Sequence, residues 1–260
     1  MIQRHKAWEA IKELLGGEDR IDEQASSWGD SFIVNLGTPE WEGVPSPEPQ
    51  DLDNWHVDGD FFIHFLDSPE QALLVIPIFT EIKHRGGGTY IAPDGIDMIA
   101  RYLLAHPEGV IPENKTFRPS NSTYVDPRDD PGFWSHLEEV KNCKKFVEVT
   151  GEVGDVVLLH PLMLHTASKN HIREPRVITN PPVGLREPFN FNRDDPSEYS
   201  LVERKTLKAL GLDSVDFHPT TERRRIVPLR VLRERAMREA EQARLKSLMD
   251  TVGPVPIAVA

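Results

Sequence analysis

Residues 146–168 read FVEVTGEVGDVVLLHPLMLHTAS. Aliphatic and β-branched residues dominate, and polar breaks fall at Gly151 and at Gly154–Asp155. Short runs of this composition, punctuated by turn residues, are strands, here two or three with a turn across Glu152–Asp155.

Further strands lie on either side. QALLVIPIFTEI (71–82) has the unbroken apolar character of a strand buried on both faces. KHRGGGTYIAPDG (83–95) carries three adjacent glycines, which suit close backbone approach, and then a short strand. SFIVNLG (31–37) is another short strand, and RVITNPPVGL (176–185) reads as an edge strand because its prolines cannot donate to a ladder. Helical spacing appears outside this block, in HKAWEAIKELLGG (5–17), GIDMIARYLLAHPEG (95–109), SLVERKTLKALG (200–211) and PLRVLRERAMREAEQARLKSLMD (228–250). In the last of these, Leu229, Leu232, Ala236, Ala240 and Ala243 form a stripe. Strands and helices do not alternate regularly, so the pattern predicts a mainly β fold, an antiparallel core with flanking helices, and not a doubly wound sheet.

One domain over 1–260 accommodates these elements: an N-terminal helix at 5–17, a barrel core at about 31–185 and a C-terminal helical region at about 199–250. Residues 110–144 are rich in Pro, Asn and Asp, with a short helical pattern near 131–143, and are expected to form a substrate lid.

Bulk composition narrows the function. A net charge of −12, from 30 basic and 42 acidic residues, is the wrong sign for a nucleic-acid surface. The basic stretch 222–239 alternates Arg with Glu and reads as a solvated face. A single cysteine, Cys143, and the lack of any membrane-length apolar run predict a soluble cytoplasmic protein, monomer or homodimer.

Metal-ligating residues stand out next. Three His-x-acid triplets occur, His56-Val-Asp58, His106-Pro-Glu108 and His136-Leu-Glu138, where roughly one or two arise by chance. Geometry separates them. On a strand, i and i+2 share a face; on a helix they diverge. His136 and Glu138 fall in a helical pattern, and His106 and Glu108 straddle a helix end at a proline. Only His56 and Asp58, in the extended stretch NWHVDGD (54–60), project together, with Gly59 free to bend the chain behind them. A facial two-His-one-carboxylate site needs a third ligand. The segment GDVVLLHPLMLHTASKNHIREPR (154–176) offers His160, His165 and His171. His165 ends an apolar strand, His171 lies in a polar loop, and His160 sits beside Pro161 as a wall group.

HVD at 56–58, followed at a distance by Gly154–Asp155, His165, Asn170 and Arg176, resembles the iron(II)/2-oxoglutarate-dependent dioxygenases, most closely their phytanoyl-CoA dioxygenase-like branch. The likeness spans roughly 54–184. It implies a double-stranded β-helix, the cupin-like jelly roll, with Fe(II) held by His56, Asp58 and His165. It also implies that Arg176 pairs with the distal carboxylate of 2-oxoglutarate, with Thr89 and Ser168 as further cosubstrate contacts. Arg173 is the alternative cation, but it precedes Glu174–Pro175 in the polar loop. The stretch RGGGTYIAPDG (85–95) departs from the family, which continues to Pro-Gly-Ser-His where this chain has Pro93-Asp94-Gly95-Ile96. The implied activity consumes O2 and 2-oxoglutarate, releases succinate and CO2, benefits from ascorbate in vitro, and oxidises a C–H bond of a small-molecule metabolite. A carboxylate at residue 58 argues against halogenation. Two other readings fit the same side chains: a non-oxidative metal-dependent cupin (hydrolase or isomerase) and a catalytically silent binding barrel.

Overall fold

The computed structural model describes residues 2–26, 31–110, 140–227 and 229–252. Most of the expected lid at 110–144, the helical pattern before residue 140 and the triplet at His136 lie outside them. The described elements run α1 (Ile2–Leu15), β1 (Ile33–Asn35), β2 (Leu73–Pro77), β3 (Thr89–Ala92), α2 (Gly95–Ala105), β4 (Val147–Glu148), β5 (Val156–Leu159), β6 (Leu164–Ala167), β7 (Arg176–Ile178), β8 (Pro182–Val183), α3 (Leu201–Leu210) and α4 (Leu229–Val252).

All strand pairing is antiparallel, in the orders β5-β2-β8, β4-β3-β6 and β1-β7. Helix exceeds strand, about 31% against 19%, so the fold is mixed and not mainly β. The described strands do not close into a barrel. The sequence pattern overweighted the sheet because its strands are cut to two to five residues by glycine and proline, whereas α4 alone runs 24 residues.

Period-2 alternation sorts the strands between two apolar clusters. Leu74, Ile76 and Ile78 on the β2 run pack with Leu159 and Ile178, and Ile91 of β3 and Met163 close over them. The opposite faces, including Leu73, Val75 and Leu164, pack onto helices through Ile11, Leu15, Ile99, Leu103 and Leu207. β2 is buried at every position, as a strand covered on both faces requires. Isolated bridges continue the ladders: Ile78 pairs with Ile178, and His56 with His165.

Caps match the sequence. The α3 N-terminus carries a capping box between Ser200 and Glu203, and Gly211 ends the helix in the left-handed conformation at φ 74°. Pro93-Asp94-Gly95 starts α2. Asp94 accepts the Lys144 amide at 2.7 Å, and a Cβ on Gly95 would meet Leu164 at 2.8 Å. The stripe on α4 behaves otherwise than a core stripe. Leu232, Ala236, Ala240 and Ala243 stay exposed, and no helix in the described residues is long and apolar enough to cross a membrane.

Candidate metal centre

His56 and His165 face each other across an antiparallel bridge and exchange both backbone hydrogen bonds, each 3.0 Å. Directly opposed residues share a face, which brings the two rings to 4.4 Å between centroids. Asp58, two residues on from His56, projects to the same side. Its Oδ1 lies 3.4 Å from His56 Nε2 and its Oδ2 lies 3.4 Å from His165 Nε2. One ligand atom from each of the three residues falls within 4.8 Å of the others, the one such group among the described residues.

The donor set fits a metal ion. His56 Nδ1 donates to the Asn54 carbonyl at 2.6 Å and His165 Nδ1 donates to the Met163 carbonyl at 3.0 Å, so both rings reach back two residues. Anchored through Nδ1, each imidazole directs its Nε2 toward Asp58, the arrangement metal-bound histidines use. Burial pushes the Asp58 carboxyl upward, but the two neighbouring imidazoles outweigh it and hold the group well below the usual carboxylate range. Burial likewise disfavours the His56 cation, yet the Asp58 carboxylate prevails and raises its pKa. Two donors on one metal at right angles sit about 3 Å apart, close to the spacing found here.

The surroundings hold this geometry. Asn180 Nδ2 donates to Asp58 Oδ2 at 3.1 Å, and Gln71 Nε2 donates to the Asp58 carbonyl at 3.3 Å. Gly59 adopts φ 118°, and a Cβ there would meet His64 Nε2 at 2.7 Å. His64 donates from that nitrogen to the Gly59 carbonyl at 2.7 Å and stacks flat on Phe62. Burial lowers its pKa to about 4, so it is neutral and serves as a clamp on the turn behind Asp58.

Arg176 occupies a different station. It opens β7, is 2% exposed, donates from Nε to the Gly87 carbonyl at 2.8 Å and from Nη1 to the Ile33 carbonyl at 3.4 Å. Burial lowers its pKa. The two other buried Asp, Glu, Lys or Arg side chains among the described residues have opposite charges beside them: Asp67 meets Arg223 at 2.6 Å, and Glu203 meets Arg193 at 2.8 Å. Arg176 meets no carboxylate among the described residues. The glycine segment is thereby explained: Gly87, at φ 78°, presents its carbonyl to the guanidinium, while a Cβ there would strike Asn35 and Asn170.

Register places the remaining candidates. Thr89 pairs with Ala167 and Ile91 with His165, so Thr89, Ile91 and His165 share one face, and Ile91 packs against the cluster holding Ile178. Arg176 shares its face with Ile178. Thr89 and Arg176 therefore both look onto that cluster. Ser168 does not: it falls three residues from His165, turns to the other face, and lines a recess with Ser46, Tyr90, Glu148 and His171. Arg173, the alternative cation, points to Glu42 at 3.3 Å on the surface.

His160 and His171 are committed elsewhere. His160 accepts the Leu162 amide at Nδ1 and donates to Thr206 Oγ1 at 3.1 Å, and burial lowers its pKa to about 3. His171 donates to the Trp41 carbonyl at 2.8 Å. His106 pairs with Glu108 at 2.8 Å, away from any cluster.

No protein-family model and no curated protein matches this chain. What the site can do chemically follows from its donors, two imidazoles and one ionised carboxylate; Arg176 is a separate buried cation with no carboxylate beside it among the described residues. Asn180 and Gln71 escaped the sequence reading because neither has a spacing relative to the HVD triplet. A polar residue ahead of Pro181–Pro182 was the only local signal for Asn180.

Proposed function

We propose that this chain is an Fe(II)/2-oxoglutarate-dependent dioxygenase of the phytanoyl-CoA dioxygenase-like branch, built on a double-stranded β-helix. The observation that carries the reading is a His-Asp-His donor group combined with a buried guanidinium that no carboxylate among the described residues neutralises. Burying an unpaired cation is costly, and a chain keeps one where an anionic ligand completes it. The antiparallel pairing and the apolar cluster between the sheets support the jelly-roll assignment.

In this reading His56, Asp58 and His165 hold Fe(II). Arg176 takes the distal carboxylate of 2-oxoglutarate in a two-pronged hydrogen bond, and Thr89 offers its hydroxyl from the facing sheet. When bound, the iron and the oxo acid supply O2 activation, with the cosubstrate leaving as succinate and CO2 while a C–H bond of a small-molecule metabolite is oxidised. The protein's own contribution is placement. Backbone hydrogen bonds fix both imidazoles, and apolar side chains such as Ile91, Met163 and Ile178 exclude water between the metal end and the carboxylate end.

Aerobic incubation with Fe(II), ascorbate and 2-oxoglutarate is the test. Slow succinate release without added substrate is expected. If the protein neither releases succinate nor binds 2-oxoglutarate by calorimetry while loaded with metal, the dioxygenase reading fails.

A further inference from the structure

We infer that Asn180 is the positioning residue that keeps Asp58 a one-oxygen ligand, and so preserves the number of open positions at the metal. The inference rests on the proposed use of His56, Asp58 and His165 as metal ligands.

The two Asp58 oxygens have unequal surroundings. Oδ1 faces His56 Nε2 at 3.4 Å. Oδ2 faces His165 Nε2 at 3.4 Å and also receives the Asn180 amide at 3.1 Å. An ionised carboxylate only accepts hydrogen bonds, so the Asn180 amide must turn its NH2 to it. Among the described residues Asp58 is the one hydrogen-bond partner of that side chain. An oxygen engaged by an amide N–H has less electron density to give a metal, which leaves Oδ1 as the donor.

The amide arrives on a rigid support. Pro181 and Pro182 follow, and a residue before proline is confined to extended backbone. The Pro181 carbonyl accepts the Val75 amide at 3.0 Å and the Val183 carbonyl accepts the Ala72 amide at 2.7 Å, so the stretch directly after Asn180 is laced to β2 and the residue before it. Asn180 thus has little freedom to follow a rotating carboxylate. It holds one orientation of Asp58 against the other.

The count of donors gives this a consequence. Three single-atom ligands leave three positions on a six-coordinate metal, two for a chelating oxo acid and one for O2. A carboxylate binding through both oxygens takes one of those three. An aspartate free to rotate would compete with the cosubstrate for the metal, and Asn180 prevents that competition.

The test uses Zn(II) as probe on the full chain labelled with 13C-carboxyl aspartate, as parent and as Asn180→Leu. The separation between antisymmetric and symmetric carboxylate stretches, taken from metal-loaded minus metal-free infrared spectra, distinguishes one-oxygen from two-oxygen coordination. The parent should show the wide separation of one-oxygen binding. Asn180→Leu should show a narrower one, with 2-oxoglutarate binding to the Zn(II)-loaded protein weakened about ten- to hundredfold, the usual effect of removing a partner of a metal ligand. Should Asn180→Leu fail to fold, Asn180→Ser serves in its place. An unchanged separation in the variant overturns the inference, whether or not metal affinity falls, since lost affinity alone is what a merely structural residue would give. A parent that binds no Zn(II) overturns the metal reading itself.

Discussion

The ring of His56 and the ring of His165 are oriented by the same device, an Nδ1–H bond to the carbonyl two residues earlier, at 2.6 Å and 3.0 Å. Because the two residues also exchange backbone hydrogen bonds, the orientation of one ring is set relative to the other by the sheet and not by side-chain packing. Removing either imidazole therefore deletes a donor without disturbing the pairing that positions its partner. His165→Ala should lower Zn(II) affinity by at least a hundredfold. His171→Ala should leave affinity within about threefold while costing about 1–3 kcal/mol of stability, because the Trp41 carbonyl loses its donor. Calorimetric titration and thermal melts of both variants check this, and equal losses of affinity would mean the third ligand is misassigned.

Arg176 makes a second case in which stability and binding separate. Among the described residues the guanidinium is buried without a counter-charge, so Arg176→Met should leave metal-free stability within about 1–2 kcal/mol of the parent, the lost carbonyl bonds being offset by relief of the buried cation. Ligand linkage should change far more. At a hundredfold excess over Kd, 2-oxoglutarate should stabilise the metal-loaded parent by about 2.7 kcal/mol and the variant hardly at all. Denaturant melts with and without the oxo acid give both quantities. A variant that keeps the full ligand-induced shift would remove Arg176 from the cosubstrate site.

The turn behind Asp58 should be intolerant of a side chain. Gly59 combines φ 118° with a Cβ position 2.7 Å from His64 Nε2. Gly59→Ala should cost roughly 1–3 kcal/mol from backbone strain and should also weaken Zn(II) binding, since His64 must let go of the Gly59 carbonyl to make room. Gly43, also at positive φ but with open space around it, is the control: Gly43→Ala should carry a strain cost of similar kind and no effect on metal.

Acid sensitivity should have a component from His64. Its pKa is lowered by burial to about 4 from an ordinary value of 6.5. The unfolded chain then binds a proton that the folded chain refuses, so this contribution is complete above pH 6.5 and is lost as pH falls toward 4. The slope is about 1.4 kcal/mol per pH unit for one such group. His160, lowered to about 3, acts in the same direction. His64→Phe keeps the stack on Phe62 and removes the titration. It should be less stable than the parent at pH 8 by about 1–2 kcal/mol, with the gap closing below pH 6 and reversed in sign near pH 4. Parallel stability curves for the two proteins across that range would show that His64 does not titrate in this way.

The period of the chain carried much of the site in plain sight. His56 and Asp58 share a face because a strand repeats every two residues, and the structure brings exactly that pair of side chains to one side. The same parity rule places Ser168, an odd number of residues from His165, on the opposite face, which a stricter use of alternation would have read directly. His160 lies outside both strands, before the turn at Pro161–Leu162, and turns to Thr206, so alternation says nothing about its direction. Non-local partners were not legible. Nothing near residue 180 announces residue 58, and nothing in QALLVIPIF says that β2 pairs with both β5 and β8. The balance of helix and strand was also misjudged, since apolar content predicts burial while glycine and proline decide how long a strand can run. The exposed stripe on α4 shows the converse: apolar spacing sufficient for a helix, without a surface among the described residues to receive it.

The bridge between His56 and His165 joins positions 109 residues apart in the chain. During synthesis the first histidine and its aspartate are made long before the second, so a nascent polypeptide carries only half a claw. A bidentate fragment of that kind grips an ion weakly and lets it go. If His56, Asp58 and His165 hold an ion as proposed, loading waits until the late strand has docked, and the ion reports finished tertiary structure instead of nucleating it.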